Sequence, residues 1–313
     1  MQKITRRQFL CAAAAAALGG LSACGSTQPV TESESIATSA DYPAWLAGQT
    51  ADYAYLDVTE LIAETLKGMA SAGDEAAAGR LWAEAHANCP LLEEISGYPD
   101  GINPDPAAVA ELLGCVRFEL PGPEGLSAQQ AANQAVAIAR AVWGSDLTPD
   151  QIGMLCMDPV GEDIEVGEDI DGSRRLWIVR LWFTADVFER SDTVCRTRIY
   201  LDAITGRFLP LLTNTDVYGL ARLDENNSSF DRDAVTQDAR AVLQAVGIEP
   251  AADVPALRTP TSVILFGADG TAYEMAFFEN GALAYLGTTN APDVIPEDQA
   301  LLPAPPERPA GSL

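Results

Sequence analysis

The chain has little histidine and little positive charge, and each shortage excludes a class of function. It contains one histidine and 19 lysines and arginines against 45 aspartates and glutamates, among 313 residues. With one imidazole and no Cys-x-x-Cys pair, it lacks the usual ligand sets for zinc. A formal net charge of −26 leaves few cations to neutralise phosphates, so we expect no nucleic-acid partner.

Recognisable catalytic motifs are missing as well. The sequence has no Gly-x-Ser-x-Gly, His-Glu-x-x-His, Ser-x-x-Lys or phosphate-binding Gly-x-x-x-x-Gly-Lys pattern. The single histidine, His86, lies in a predicted helix with no nucleophile motif, so we expect it to be structural. We therefore predict a protein that is not an enzyme and has no catalytic, cofactor-binding or metal site. Carboxylate pairs among the many acids keep one alternative open, an envelope hydrolase.

A membrane-spanning run is absent from the start of the chain, although an apolar stretch is present there. Phe9–Leu18 is ten residues long, and a transmembrane helix needs roughly 20. Lys3, Arg6 and Arg7 precede it, as in an export signal. The segment Thr5–Leu10 resembles the twin-arginine export motif through Arg6 and Arg7. An ordinary Sec signal that has two arginines by chance is the alternative.

The next residues, Leu21-Ser22-Ala23-Cys24, resemble the bacterial lipobox. In that family the cysteine thiol receives a diacylglycerol, and the peptide is cut immediately before the cysteine. The resemblance implies a signal peptide over 1–23 and a lipid anchor on Cys24. It places the protein on the extracytoplasmic face of a bacterial cytoplasmic membrane. The alternative is cleavage at an alanine-rich site that leaves the cysteine unmodified.

The rest of the chain divides by composition. Residues 24–40 form a predicted flexible tether, and 291–313 a disordered proline-rich tail. Between them we expect a helical region over 41–114, a first helix-and-strand module over 115–220 and a second over 221–290. The predicted fold class is α+β, with helices packed on antiparallel sheet.

The two modules show the same order of patterns. In the first, Ser127 and Gln130 form a capping box before a helix over 128–142, and strands follow at 176–184, 197–202 and 207–212. In the second, a helix over Val235–Val246 precedes strands near 262, 274 and 284. Three-stranded units are marginal alone, so we expect the two to share a core.

The first module resembles the PepSY-like modules of bacterial surface proteins. The matching features are the alanine-rich helix Ala128–Trp143, the strand Leu176–Leu181 and above all the strand–Asp-Ala-x-Thr-Gly–strand hairpin of Ile199–Leu209. The long insert between Met157 and Arg174 departs from the family pattern. The resemblance implies a PepSY/cystatin-like fold and a non-catalytic role, binding peptidases or regulating envelope proteins such as sensor kinases. A lipoprotein that captures a small ligand is a further alternative.

Three residue groups are candidate sites. Cys89, Cys115, Cys156 and Cys195 could form disulfides outside the cytoplasm, with Cys89–Cys115 and Cys156–Cys195 as the first pairing to test and buried thiols as the alternative. Seven acids in Asp158–Asp171 could bind calcium, although a solvated loop is the default.

The third group, Arg180 and Trp182, lies on one face of a predicted strand. This face could bind a partner, or the helical region 41–114 could cover it.

Overall fold

The computed structural model of the protein describes residues 52–98, 101–159, 175–183, 195–214, 232–252, 256–258, 262–278 and 282–289. The helices of this part are α1 Thr59–Ala70, α2 Glu75–Asn88, α3 Leu92–Ser96, α4 Pro106–Leu113, α5 Ala128–Trp143 and α6 Arg232–Ala245. The strands are β1 Leu56–Asp57, β2 Val116–Arg117, β3 Gln151–Pro159, β4 Leu176–Phe183, β5 Cys195–Asp202, β6 Phe208–Asn214, β7 Leu257–Arg258, β8 Ser262–Phe266, β9 Ala272–Phe277 and β10 Leu283–Thr288.

The strands form one sheet in the order β1-β3-β4-β5-β6-β10-β9-β8-β7, and β2 pairs with the end of β3. All pairings are antiparallel except β1–β3, which is parallel. The two halves meet where β10 pairs with β6, through Tyr285 opposite Thr213 and Leu286 opposite Leu212. The predicted α+β class is confirmed, and the strands expected near 176–184, 197–202 and 207–212 lie in one antiparallel sheet.

One face of the sheet is covered by the two long helices. The capping box predicted for α5 is present. The Ser127 side chain accepts from the backbone N–H of Gln130, and the Gln130 side chain accepts from the backbone N–H of Ser127. The buried stripe of α5 and that of α6 belong to one apolar cluster with the strands of both halves. The cluster includes Ala132, Ala135, Ala139, Trp177, Val179, Val235, Ala239, Leu243, Val263 and Met275. Helices and strands of both halves of the sheet therefore share one core. Residue 220, the expected boundary between two modules, lies outside the described residues.

The opposite face of the first half is covered by α1, α2, α3 and α4. Ile62, Leu66 and Trp82 from these helices pack with Leu155 of β3 and Trp182 of β4. A smaller cluster on this face joins Val116, Met157, Ile178 and Tyr200. The packing crosses the division expected at residue 114, because β1 precedes α1 and pairs with β3.

Local sequence signals fix the starts of α2 and α4. Asp74 caps α2 by accepting a hydrogen bond from the Ala77 amide, and Asp105 caps α4 with Pro106 in the first turn. The spacing of Asp57 and Glu60 before an apolar run predicts a further capping box at the start of α1, and this prediction is wrong. Helix α1 has Val58 at its N-cap without a side-chain cap, and Asp57 instead accepts hydrogen bonds from the amide and hydroxyl of Thr59.

Candidate functional site

The β5–β6 hairpin has the geometry that its sequence predicts. The Asp202 carboxylate, 6% exposed, accepts hydrogen bonds from the amides of Ile204 at 2.9 Å and Thr205 at 2.8 Å. Gly206 has a φ of 73°, a left-handed conformation that a side chain would strain. Asp202 therefore holds the turn, and Gly206 lets the chain return into β6.

Two hydrogen bonds connect this hairpin module across its layers. The buried amide of Gln134 on α5 donates to the Gly206 carbonyl. The indole Nε1 of Trp177 on β4 donates to the carbonyl of Leu126, just before α5, at 2.8 Å. Alternation along this strand predicts that Trp177 lies in the core beneath the helix, and it is fully buried there. These contacts fix the position of α5 over β4 and the turn.

The face expected for a partner is not exposed. Arg180 is 0% and Trp182 is 5% exposed, and Trp182 packs in the same cluster as the helices α1–α3. Its indole donates to Glu94 Oε2 at 3.1 Å. Gly153, directly opposite Arg180 on β3, lets Ile95 of α3 approach the sheet closely. The alternative, in which the helical region covers this face, is therefore the arrangement found.

Beneath this cover lies a pair of buried arginines that the sequence did not single out together. Arg180 on β4 is directly opposite Arg198 on β5, and the exposed fractions of the two residues are 0% and 1%. Residues 177, 179 and 181 face the core under α5, so Arg180 points to the other face with Ile178 and Trp182. Alternation along β5 places Arg198 on that same face beside Tyr200.

The guanidinium groups of this pair are almost without acceptors. Three nitrogens of Arg180 and two of Arg198 have no hydrogen-bond partner within the described part of the chain. The remaining contact joins Arg198 Nη1 to the Tyr200 hydroxyl at a long 3.4 Å. Buried charges are ordinarily paired and hydrogen-bonded, because desolvating an unpaired ion costs several kcal/mol. Two cations at a separation of about 6 Å would also repel each other by roughly 3 kcal/mol at an effective dielectric constant of 20.

A third arginine, Arg175, lies immediately before β4 and is paired with acids in the usual way. Arg175 donates to Glu119 Oε1 and, at 3.0 Å, to Asp158 Oδ2. Partial burial acts to lower its pKa, but the hydrogen bond to Asp158 and the charges of Asp158 and Glu119 outweigh burial and raise the pKa. Asp158 and Glu119 are thus engaged with Arg175, which distinguishes this site from the buried pair.

The cysteines do not form the predicted bonds. Cys89, Cys115 and Cys156 are thiols rather than half-cystines, so the Cys89–Cys115 pairing is not present. Cys156 is opposite Trp177 on β4 and Cys195 is opposite Phe183. The two positions lie about 20 Å apart along the strands, beyond the reach of a disulfide. Burial raises the pKa of the Cys156 thiol, so it is a poor nucleophile.

The remaining sequence candidates show no metal or catalytic arrangement in the described residues. His86 lies on α2 with Nε2 3.6 Å from Glu93 Oε2, a contact within the helical layer. Of the acidic segment 158–171, residues 160–171 lie outside the described part. No group of three potential metal ligands occurs among the residues that the structure describes. None of the described helices is both long and apolar enough to span a bilayer. The export and lipidation residues Arg6, Arg7 and Cys24 also lie outside the described ranges.

Comparison of the chain with protein-family models, curated proteins and solved structures finds no match.

Proposed function

We propose that the protein is a lipid-anchored extracytoplasmic lipoprotein that acts as a non-catalytic binding or regulatory module. The observation that carries this proposal is the β5–β6 hairpin. Asp202 caps its turn, Gly206 takes the left-handed conformation, and Gln134 of α5 contacts it. This helix-on-sheet arrangement supports the PepSY-like resemblance, and that family's proposed role is to bind or restrain other envelope proteins.

The strand order supports a duplicated PepSY-like unit. From the outer strand inward the first half runs β3-β4-β5-β6, and the second half runs β7-β8-β9-β10. Each half follows a helix, α5 or α6, and both helices pack on the same face. The last strands of the halves, β6 and β10, pair antiparallel, as in two copies related by an approximate twofold axis.

The amino-terminal sequence supports the proposed membrane location. A basic start, a short apolar stretch and the residues Leu21–Cys24 fit an acyl anchor, and two acyl chains hold a protein on a bilayer firmly. A net charge of −26 repels anionic headgroups and favours a partner with a cationic surface. A peptidase or a sensor in the envelope is the kind of protein partner that we propose.

Two measurements test the proposal. Mass spectrometry of the full chain from bacterial membranes should find Cys24 as an acylated amino terminus, and Cys24→Ala should release the protein from the membrane. Partners captured from those membranes should then be purified and titrated against the protein. Saturable binding to a peptidase or sensor that Asp202→Ala weakens, and Asp202→Asn does not, supports the proposal. An unprocessed chain starting at Met1, or turnover of an envelope polymer by the pure protein, would overturn it.

A further inference from the structure

We propose that Arg180 and Arg198 form an enclosed binding site for a tetrahedral oxyanion, of the class of inorganic phosphate or sulfate, between the sheet and the helices α1–α4. This ligand site goes beyond the proposed regulatory function and does not depend on it. It rests on two side chains that are nine-tenths or more buried and whose donors lack acceptors in the part of the chain that the structure describes. In native proteins nearly all buried polar groups have a hydrogen-bond partner.

Register brings the two guanidinium groups together. Arg180 and Arg198 are direct cross-strand partners, so their Cβ atoms lie about 5 Å apart. Their side chains rise from the same face of the sheet, between Ile178 and Trp182 on one strand and beside Tyr200 on the other. Two planar forks at this separation can bind one small anion from two sides.

The number of free donors selects the ligand. An arginine has five N–H groups, and all three nitrogens of Arg180 and two of Arg198 have no hydrogen-bond partner among the described residues. A single carboxylate has two oxygens and one negative charge, so it would leave most of these donors without an acceptor and one positive charge without a counter-charge. A tetrahedral oxyanion presents oxygens in every direction and carries up to two charges. Its charge matches the pair, and its shape matches two forks that approach from different strands.

The surroundings of the pair favour a small free ion over an anionic group that is attached to a larger molecule. Ile178, Trp182 and Tyr200 line the pair with apolar surface, where the attraction between opposite charges is stronger than in water. The acids Glu119 and Asp158 are held by Arg175, just before β4 begins, and contact neither arginine of the pair. Because Arg180 and Arg198 are 0% and 1% exposed, a headgroup or peptide that extends into solvent does not fit. The observation favours the ligand-capturing alternative that the sequence left open.

The test measures how anions stabilise the full chain. The protein is purified in a non-ionic detergent, dialysed into chloride, and heated with phosphate, sulfate, acetate or glycerol phosphate at constant ionic strength. We expect phosphate or sulfate to raise Tm in a saturable way and to bind at least tenfold more tightly than acetate, and we expect glycerol phosphate to have no effect. The ratio of the phosphate and sulfate affinities tells which of the two ions the site prefers.

Substitutions assign the effect to the pair. Arg180→Gln and Arg198→Gln should each lower the affinity at least tenfold, whereas Arg207→Gln, which removes an equal charge from an exposed position, should leave it unchanged. Arg180→Met covers the case in which the glutamine variants do not fold. Because it removes an unpaired buried charge, it should fold in chloride at least as stably as the wild type and lose the response to phosphate. A Tm that follows ionic strength alone, equal binding of acetate, binding only of the ester, or a response that survives Arg180→Met would overturn the proposal.

Discussion

Replacing Gly153 with alanine should weaken the contact between the helical layer and the sheet. A Cβ at this position would lie 2.6 and 2.7 Å from two carbons of Ile95 and 3.0 Å from Trp182 Cη2. Both neighbours are buried, so relief requires a strained shift of the Ile95 side chain or movement of α3 away from β3. Overpacking of this kind costs about 1–3 kcal/mol, and the smaller conformational entropy of unfolded alanine offsets about 0.4–1 kcal/mol. We expect a net loss of about 1–2 kcal/mol in the free energy of unfolding.

Thermal and urea unfolding of the full chain measure this loss, and Gly73→Ala is the matched control. An alanine Cβ at Gly73 would have no neighbour within 4 Å, so this substitution should be neutral or slightly stabilising. For a chain of this size the loss at Gly153 corresponds to a fall in Tm of roughly 2–8 °C. Ile95→Val removes one of the clashing carbons and should cost less in the Gly153→Ala background than in the wild type. If the two glycine variants unfold at the same urea concentration, α3 does not pack on β3 as described.

Three further predictions concern single side chains of the core and its edges. Asp202→Ala should lower the free energy of unfolding by about 1–3 kcal/mol, because two turn amides lose their acceptor, while Asp202→Asn should retain most of the stability; equal losses in urea unfolding would contradict this account. Trp177→Phe should cost a similar amount, because it removes both indole volume and the hydrogen bond to the Leu126 carbonyl; an unchanged urea midpoint would show that this bond contributes nothing. Burial, above all, raises the pKa of Asp57 from its ordinary 3.8. At a pH between the pKa of the unfolded chain and that of the folded chain, the folded state therefore binds more protons, and this group's contribution to stability falls as pH rises. Asp57→Asn should therefore raise Tm at pH 7, and the gain should vanish at a pH below the unfolded value; a gain that is independent of pH would refute the assignment.

Local signals in the sequence were sufficient for the elements that they directly form. The Ser127–Gln130 capping box and the Asp202–Gly206 turn each depend on residues at most four apart, and both are present. Asp57 failed as a cap because its carboxylate serves Thr59 instead. Whether Asp57 caps the helix or accepts from Thr59 depends on how β1 packs against β3, and no local sequence pattern contains that information.

The burial of Arg180 and Trp182 was harder to predict, although one signal was available. Strand β4 reads Leu-Trp-Ile-Val-Arg-Leu-Trp-Phe, and all eight residues are buried. Such a continuous apolar run is typical of a strand covered on both faces, and it favours the covered arrangement over an exposed partner face. The pairing of Arg180 with Arg198 had no local signal, because it depends on the register between two strands.

The pairing of β6 with β10 also determines when the sheet can be completed during synthesis. Strand β6 ends at Asn214, and β10, its neighbour in the middle of the sheet, ends at Thr288, about 75 residues later. At 5–20 residues per second, roughly 4–15 s separate their emergence from the ribosome. Throughout this interval the first half presents an open strand edge, the kind of surface through which chains aggregate. Of the strands in the described residues, the last to be made is thus the one that closes the sheet, and a chain that stops short of Leu283 leaves the partner edges of both β6 and β9 without β10.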